Sequence, residues 1–80
     1  MDTADIYYQE FVLKVMHGEP DAAIDLLQAA YDRGFRGNWV LEIDARVDAV
    51  RDHPGFVAIQ QQIRDDVNRA RAEVRALAAL

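Results

Sequence analysis

Apolar residues recur at helical spacing in three separate segments of this 80-residue chain. The first segment runs from Thr3 to about Met16, the second follows Pro20, and the third begins at Pro54. Steps of three and four residues place side chains on one face of a helix, whereas a half-buried strand needs strict alternation. Because no segment alternates in this way, the pattern predicts an all-α fold.

Glycine and proline mark the ends of the predicted helices. Gly18 ends the first pattern, Pro20 opens the second helix in the first turn, where proline is favoured, and Gly34 supplies a left-handed C-cap. So short a break predicts a helical hairpin over residues 1–36. A short helical connector over 37–53 and a long C-terminal helix over 54–80 complete a single domain. Asp2 or Thr3 is placed to cap the first helix.

The C-terminal helix is expected to overhang the hairpin, since its residues would span about 40 Å. From Ile63 onward its apolar residues step by four, three, four and three. This spacing is typical of a heptad seam, although only about two heptads long. The seam consists of Ile63, Val67, Ala70, Val74 and Leu77.

Charge is distributed unevenly along the chain. Residues 1–35 hold seven acids against Lys14 and Arg33, whereas residues 36–80 hold seven acids and seven arginines. Nucleic-acid binding needs clustered cations, so this distribution disfavours a nucleic-acid partner. The absence of cysteine excludes disulfides and thiolate metal sites. No apolar run approaches the roughly 20 residues that span a bilayer, so no membrane partner and a cytoplasmic location are expected.

Three carboxylates four residues apart, at Asp44, Asp48 and Asp52, would form one stripe on a helix. A calcium loop needs more oxygen ligands and a central glycine, so we expect no metal and no cofactor here. Solvated caps and helical ion pairs are the favoured interpretation. The expected pairs are Asp48 with Arg51 and Glu42 with Arg46.

Catalytic residue sets are not indicated either. The histidines, His17 and His53, lie at helix junctions, and the chain has no serine and only Thr3 as a threonine. Adjacent Asp65 and Asp66 point to different sides of a helix and cannot form one acid–base pair. For His53, a structural role is favoured over a catalytic one.

The single tryptophan, Trp39, follows the predicted cap at Gly34. It is expected to fill a small core together with Val47, and the alternative is that it stacks on a ligand near the acids. The preceding loop, GFRG with Arg36, is similar to an RNA-clamping loop, but that loop belongs to a module with a sheet. Asp44, in contrast, is expected to be solvated and to matter little for stability.

The sequence VMHGEPDAAIDLLQAAYDRGF resembles a tetratricopeptide repeat. Gly18 matches the turn glycine, Ala23 and Ala30 match the two small positions, and Leu27 matches the bulky residue between them. The first helix departs from the family pattern, because Phe11 replaces a small residue and Glu10 replaces a leucine. Proline is also missing at the end of the second helix.

The rest of the chain resembles the tail that ends bacterial repeat arrays fused to nucleotide cyclases or transcriptional regulators. Ala45 and Ala49 stand where such tails carry proline, so more helix is expected between Asn38 and Arg51. The matching residues, in order, are Trp39, Leu41, Glu42, Asp44, Val47, Asp48, Val50, Arg51, Pro54 and Phe56.

This resemblance implies a non-catalytic protein-interaction or scaffold module, the C-terminal cap of a larger regulatory protein whose catalytic domain lies upstream. In isolation it is expected to form a homodimer. The expected structural anchors are Gly18, Ala23, Leu27, Ala30, Gly34, Trp39, Val47, Pro54 and Phe56. The expected interaction surface is Tyr7, Tyr8, Phe11, Ile63, Val67, Val74 and Leu77. The alternatives are a standalone adaptor that begins at Met1 and a small-ligand-binding helical domain.

Overall fold

The computed structural model describes residues 3–80, which form four α-helices and one 3₁₀ helix. No strand occurs in this range, so the predicted all-α class is confirmed. The helices α1 and α2 form a hairpin, the 3₁₀ helix packs against α1, and α4 packs against α2 and α3. The elements are α1 (Thr3–Met16), α2 (Pro20–Asp32), α3 (Asn38–Ile43), the 3₁₀ helix (Ala45–Val50) and α4 (Pro54–Ala78).

The helix boundaries follow the predicted signals. Gly18 and Gly34 both have positive φ, at 75° and 104°, and their backbone conformations carry the chain out of α1 and α2. Pro20 and Pro54 are the first residues of α2 and α4. Of the two proposed caps for α1, Asp2 lies outside the described residues, and Thr3 is already the first helical residue.

Small residues on α2 sit at the centre of the hairpin. Ala23, Leu27 and Ala30 have no exposed surface, as predicted, and neither has Phe11 on α1. Alanine at two positions seven residues apart removes side-chain bulk along one face of α2 and leaves space for larger neighbours. The hairpin therefore has room for the fully buried phenyl ring of Phe11.

The amino-terminal half of α4 completes the core. Phe56, Ile59 and Ile63 are buried, and the Phe56 ring lies 6.4 Å from that of Phe11. Beyond Val67, which is partly buried, every residue of α4 is exposed. The helix has 25 residues and is about 37 Å long, so its carboxyl-terminal half protrudes from the molecule, as expected.

Phe35, and not Trp39, fills the core beside the hairpin. Phe35 is 9% exposed and stacks on Tyr8 with ring centroids 4.9 Å apart, whereas Trp39 is 67% exposed. The prediction that Trp39 is a core residue is therefore wrong. The reason is helical register: Leu41 of α3 is fully buried, and Trp39, two residues earlier, lies about 200° around the helix.

The connector is helical, as the alanines at 45 and 49 predicted, and Arg51 holds its first helix in place. The Arg51 guanidinium donates to the carbonyl oxygens of Leu41 at 2.7 Å, Asp44 at 3.1 Å and Glu42 at 3.3 Å. Its Nε also donates to Asp48 at 2.6 Å, the predicted pair. One side chain thus satisfies carbonyls that the end of a helix leaves without backbone partners.

Asp44 links the connector to α1. Its carboxylate accepts hydrogen bonds from the Tyr8 hydroxyl at 2.8 Å and from the Arg46 backbone N–H at 3.1 Å. The Arg46 side chain adds a two-point contact at 2.8 and 2.9 Å, in place of the predicted pair with Glu42. The Asp44 side chain is only 10% exposed. The expectation of a solvated and dispensable carboxylate is therefore wrong.

The same contacts perturb two ionisable groups. The Arg46 guanidinium holds the pKa of Asp44 well below its usual range, with help from the Tyr8 hydroxyl and against the opposing effect of burial. Burial, together with the hydrogen bond to Asp44, raises the pKa of Tyr8. A depressed carboxyl pKa stabilises the fold above the unfolded-state value, near 4, and that stability is lost as the pH falls towards the folded-state pKa.

We expect Phe35→Ala to lower the free energy of unfolding by about 3–5 kcal/mol, because it removes a stacked core ring. Trp39→Ala should change it by less than about 0.5 kcal/mol, because the indole is exposed. Urea denaturation followed by circular dichroism measures both. A Trp39→Ala loss comparable to that of Phe35→Ala would contradict the exposed position of the indole.

Asp44→Asn should reduce stability by about 1 kcal/mol at pH 7, because it weakens the bonds to Arg46. The difference from wild type should narrow as the pH falls below about 4, where the wild-type carboxylate begins to lose its advantage. Urea titrations across this range test the expectation. Asp25→Asn, on the exposed side of α2, is the control, and a pH-independent difference for Asp44→Asn would contradict the assignment.

Candidate interaction surface

A groove runs along one face of α4 and ends against α3. Two adjoining hollows of about 590 and 310 Å³ form it, and both are lined by Arg36, Val67 and Arg71. The larger hollow continues along the protruding part of α4, and the smaller one reaches Trp39 and Arg64. We call this surface the arginine-rimmed groove. Its members are Arg36, Asn38, Trp39, Arg64, Asp66, Val67, Asn68, Ala70, Arg71, Val74 and Arg75.

The floor of the groove is apolar. Val67, Ala70 and Val74 follow one another by three and four residues, so they share one face of α4. Val74 is 65% exposed, and Leu77, one step further along the same stripe, is 69% exposed. With the indole of Trp39 beside Val67, these side chains form an extended apolar surface that residues 3–80 do not cover.

Arginines form the rim, and their charge is only partly neutralised. Arg36 pairs with Asp66 at 3.2 Å, and Arg64 pairs with Glu42 at the same distance. Arg71 and Arg75 have no acidic partner within residues 3–80. The groove therefore carries an excess of about two positive charges along its protruding half.

Tyr31 holds in place two residues that line the groove, Arg36 and Asp66. Its hydroxyl donates to Asp66 at 2.6 Å, and the Arg36 guanidinium lies 4.3 Å from the centre of its ring. Arg36 also donates to the backbone carbonyls of Tyr31 and Phe35. The hydrogen bond to Asp66 raises the pKa of the Tyr31 hydroxyl. Arg36 is thus held by an aromatic face, a carboxylate and two carbonyls.

The predicted interaction surface is only partly exposed. Val67, Val74 and Leu77 lie on the exposed stripe of α4, whereas Ile63 is fully buried as the last core residue of that helix. On α1, Tyr7 is partly buried and covered by the guanidinium of Arg33, 4.3 Å from its ring centre.

Tyr8 and Phe11 were expected on the bare face of α1 and are buried, at 8% and 0% exposure. The chain covers that face itself: Phe35 stacks on Tyr8, and Phe56 of α4 reaches Phe11. The prediction of exposed residues at Tyr8, Phe11 and Ile63 is therefore wrong.

The carboxylates considered for metal or ligand binding at Asp44, Asp48 and Asp52 lie apart from the groove. Among residues 3–80, no group of three or more histidines and acids is placed to hold a metal ion. Asp44, Asp48 and Asp52 do not line the groove, so a ligand held between Trp39 and these acids is not supported. No described helix is both long and apolar enough to cross a bilayer.

His53 has the structural role expected of it, as the N-cap of α4. Its Nδ1 accepts a hydrogen bond from the backbone N–H of Gly55 at 3.0 Å, so the neutral ring carries its proton on Nε2. That Nε2 lies 2.9 Å from a carboxylate oxygen of Asp21 and donates to it. The imidazole thereby joins the start of α4 to the first turn of α2.

Sequence reasoning missed the arginine-rimmed groove. The signal that could have indicated it is the placement of Arg64 and Arg71, seven residues apart beside the apolar seam. Arginine next to a seam is typical of a surface that meets a charged partner. The position of Trp39 in the groove could not be predicted in the same way. The register of α3 decides whether the indole points to the core or to the surface.

The chain matches no protein-family model, and comparison with curated proteins and with solved structures gives no match. Any function assigned to the chain therefore rests on its own residues and their geometry.

We expect His53→Ala to lower the free energy of unfolding by about 1 kcal/mol, because the Gly55 N–H loses its cap. His53→Asn is the matched variant: its side-chain oxygen can accept the same hydrogen bond and should retain most of the stability. Denaturant midpoints measure both. Equal losses for the two variants would show that the cap hydrogen bond is not the source of the effect.

Proposed function

We propose that this chain is a non-catalytic protein-interaction module and that the arginine-rimmed groove is its binding surface. The observation that carries the proposal is the exposure of Trp39 beside the apolar stripe of α4. Tryptophan and arginine are the residues most enriched at the energetic centres of protein interfaces. A contiguous apolar patch with a polar rim is typical of such a surface.

The shape of the groove supports a helical partner. Ala70 lies at its centre between Val67 and Val74, and so small a side chain lets another helix approach closely. Arginines on either side can bond to carboxylates of the partner in the two-point geometry that guanidinium favours. The groove therefore suits an amphipathic helix in the manner of helix-in-groove recognition.

In isolation, the chain is proposed to self-associate through this groove. The exposed stripe continues beyond the core along Val74 and Leu77, on the part of α4 that residues 3–80 leave exposed. Association would remove that apolar surface from water, which is the main driving force of protein assembly. A homodimer remains the simplest species of this kind.

The wider setting is also part of the proposal. The buried alanines Ala23 and Ala30 and the turn at Gly18 support a tetratricopeptide-like origin of the hairpin. On this basis the chain is the C-terminal cap of a larger cytoplasmic regulatory protein of bacterial type, in which any catalysis, such as nucleotide cyclisation, belongs to an upstream domain. A standalone adaptor would use the same groove for its partner.

Self-association should appear as a concentration-dependent increase in mass for the wild type, measured by sedimentation equilibrium up to about 1 mM. Val74→Glu should abolish it, because a carboxylate then lies on the apolar floor. Val57→Glu is the control, since Val57 is also exposed on α4 but lies outside the groove. Both substitutions are at exposed positions and should leave the helical circular dichroism signal unchanged.

The single tryptophan supplies a second readout, because the indole lines the groove. Its fluorescence emission should shift to shorter wavelength as the wild type associates and should not shift for Val74→Glu. A monomeric wild type over the whole range would contradict self-association. Equal behaviour of Val74→Glu and Val57→Glu would contradict the groove as its site.

A further inference from the structure

The outer face of α1 carries a second exposed apolar patch. Ile6, Leu13 and Met16 are 43%, 53% and 63% exposed. Ile6 and Leu13 are seven residues apart, and Met16 follows three residues later, so all three lie on the side of α1 that faces away from the core. We call this surface the outer face of α1.

Acidic side chains flank this patch. Asp5 and Glu10 are exposed, and neither has a basic partner within residues 3–80. The one lysine of the helix, Lys14, is paired with Glu19 at 3.2 Å. The outer face of α1 is therefore apolar along its centre and carries an excess of about two negative charges. The arginine-rimmed groove has the same apolar centre and the opposite excess charge.

We propose that the outer face of α1 of one copy docks into the arginine-rimmed groove of a second copy. The inference rests on the proposed function and names the partner of that site. Ile6 and Leu13 meet the floor formed by Val67 and Val74, and the carboxylates of α1 face Arg71 and Arg75. Charge complementarity of this kind fixes partner choice and orientation, and it accelerates association.

Pairing of two α4 helices along their seams is the competing arrangement, and it buries little surface. The exposed seam from Val67 to Leu80 is about 21 Å long and about 10 Å wide, a footprint of about 200 Å² on each copy. Because side chains make the surface uneven, the buried area on each copy is taken as about twice its footprint. The two copies then bury about 800 Å² in total, below the roughly 1,200 Å² of a stable interface. In a reciprocal pair, each copy docks its α1 into the groove of the other, so the contact between α1 and the groove is made twice.

Charge also disfavours the pairing of two α4 helices. Such a pair places Arg71 and Arg75 of both copies along one seam, where Glu73 is the one acid of the protruding part of α4. Asp66, nearer the core, is already bonded to Tyr31 and paired with Arg36. Docking of α1 brings the carboxylates of Asp5 and Glu10 to these arginines instead.

Two variants, each lacking one of the two surfaces, separate these arrangements. In the groove variant, Arg71→Glu with Val74→Glu places carboxylates opposite the acidic face of α1. In the α1 variant, Glu10→Lys with Leu13→Lys places cations opposite the arginines. All four positions are exposed, so both variants should fold, which circular dichroism checks.

Each variant alone should be monomeric at concentrations where the wild type associates, with Kd raised about tenfold or more. An equimolar mixture should form a 1:1 complex and no larger species, because the intact groove of one variant meets the intact α1 face of the other, and the second contact joins introduced lysines to introduced glutamates. Sedimentation velocity measures the stoichiometry. Added salt should weaken the complex, because the facing charges are exposed.

Three outcomes would overturn the inference, and they differ in what they leave standing. If the α1 variant associates as the wild type does while the groove variant is monomeric, the two α4 helices pair and only the inference fails. If the mixture remains monomeric, the two surfaces are not partners. If the wild type itself stays monomeric, self-association through the groove fails together with the inference.

Discussion

The orientation of α3 is the constraint on which the rest of the structure depends. A helix of six residues is too short to be stable alone, and contacts made by its neighbours hold it in place. Arg51 donates to backbone carbonyls at the carboxyl-terminal end of α3. Asp44, the residue that follows α3, accepts a hydrogen bond from the Tyr8 hydroxyl of α1. With α3 fixed in this register, Leu41 lies in the core and Trp39 lies on the surface beside α4.

The helix α4 has two parts with different roles. As far as Ile63, its apolar face completes the core, and beyond Val67 the same face continues into solvent. The protruding part stays helical without tertiary packing because it is rich in alanine and arginine, which are strong helix formers. The surface that this leaves open is apolar and basic, whereas the open face of α1 is apolar and acidic.

Much of the fold could be predicted from local sequence. Glycine at 18 and 34, proline at 20 and 54, and histidine at 53 act through backbone conformation or capping, which depend on a few neighbouring residues. The buried alanines of α2 could be predicted from their spacing. Local sequence could not tell whether the aromatic side chains are buried or exposed. For Tyr8, Phe11 and Trp39, burial depends on which segment of the chain packs against the side chain.

The sequence by itself determined the order and approximate ends of the three longer helices, and the overhang of the last one. Only the tertiary structure decided which aromatic residues are buried. An apolar periodicity defines a face of a helix, but the partner of that face is chosen by packing between distant segments. Phe35 fills the core where Trp39 was expected, and the indole lies on the surface in the smaller hollow of the groove, beside three arginines. That hollow has an aromatic wall because of this exchange.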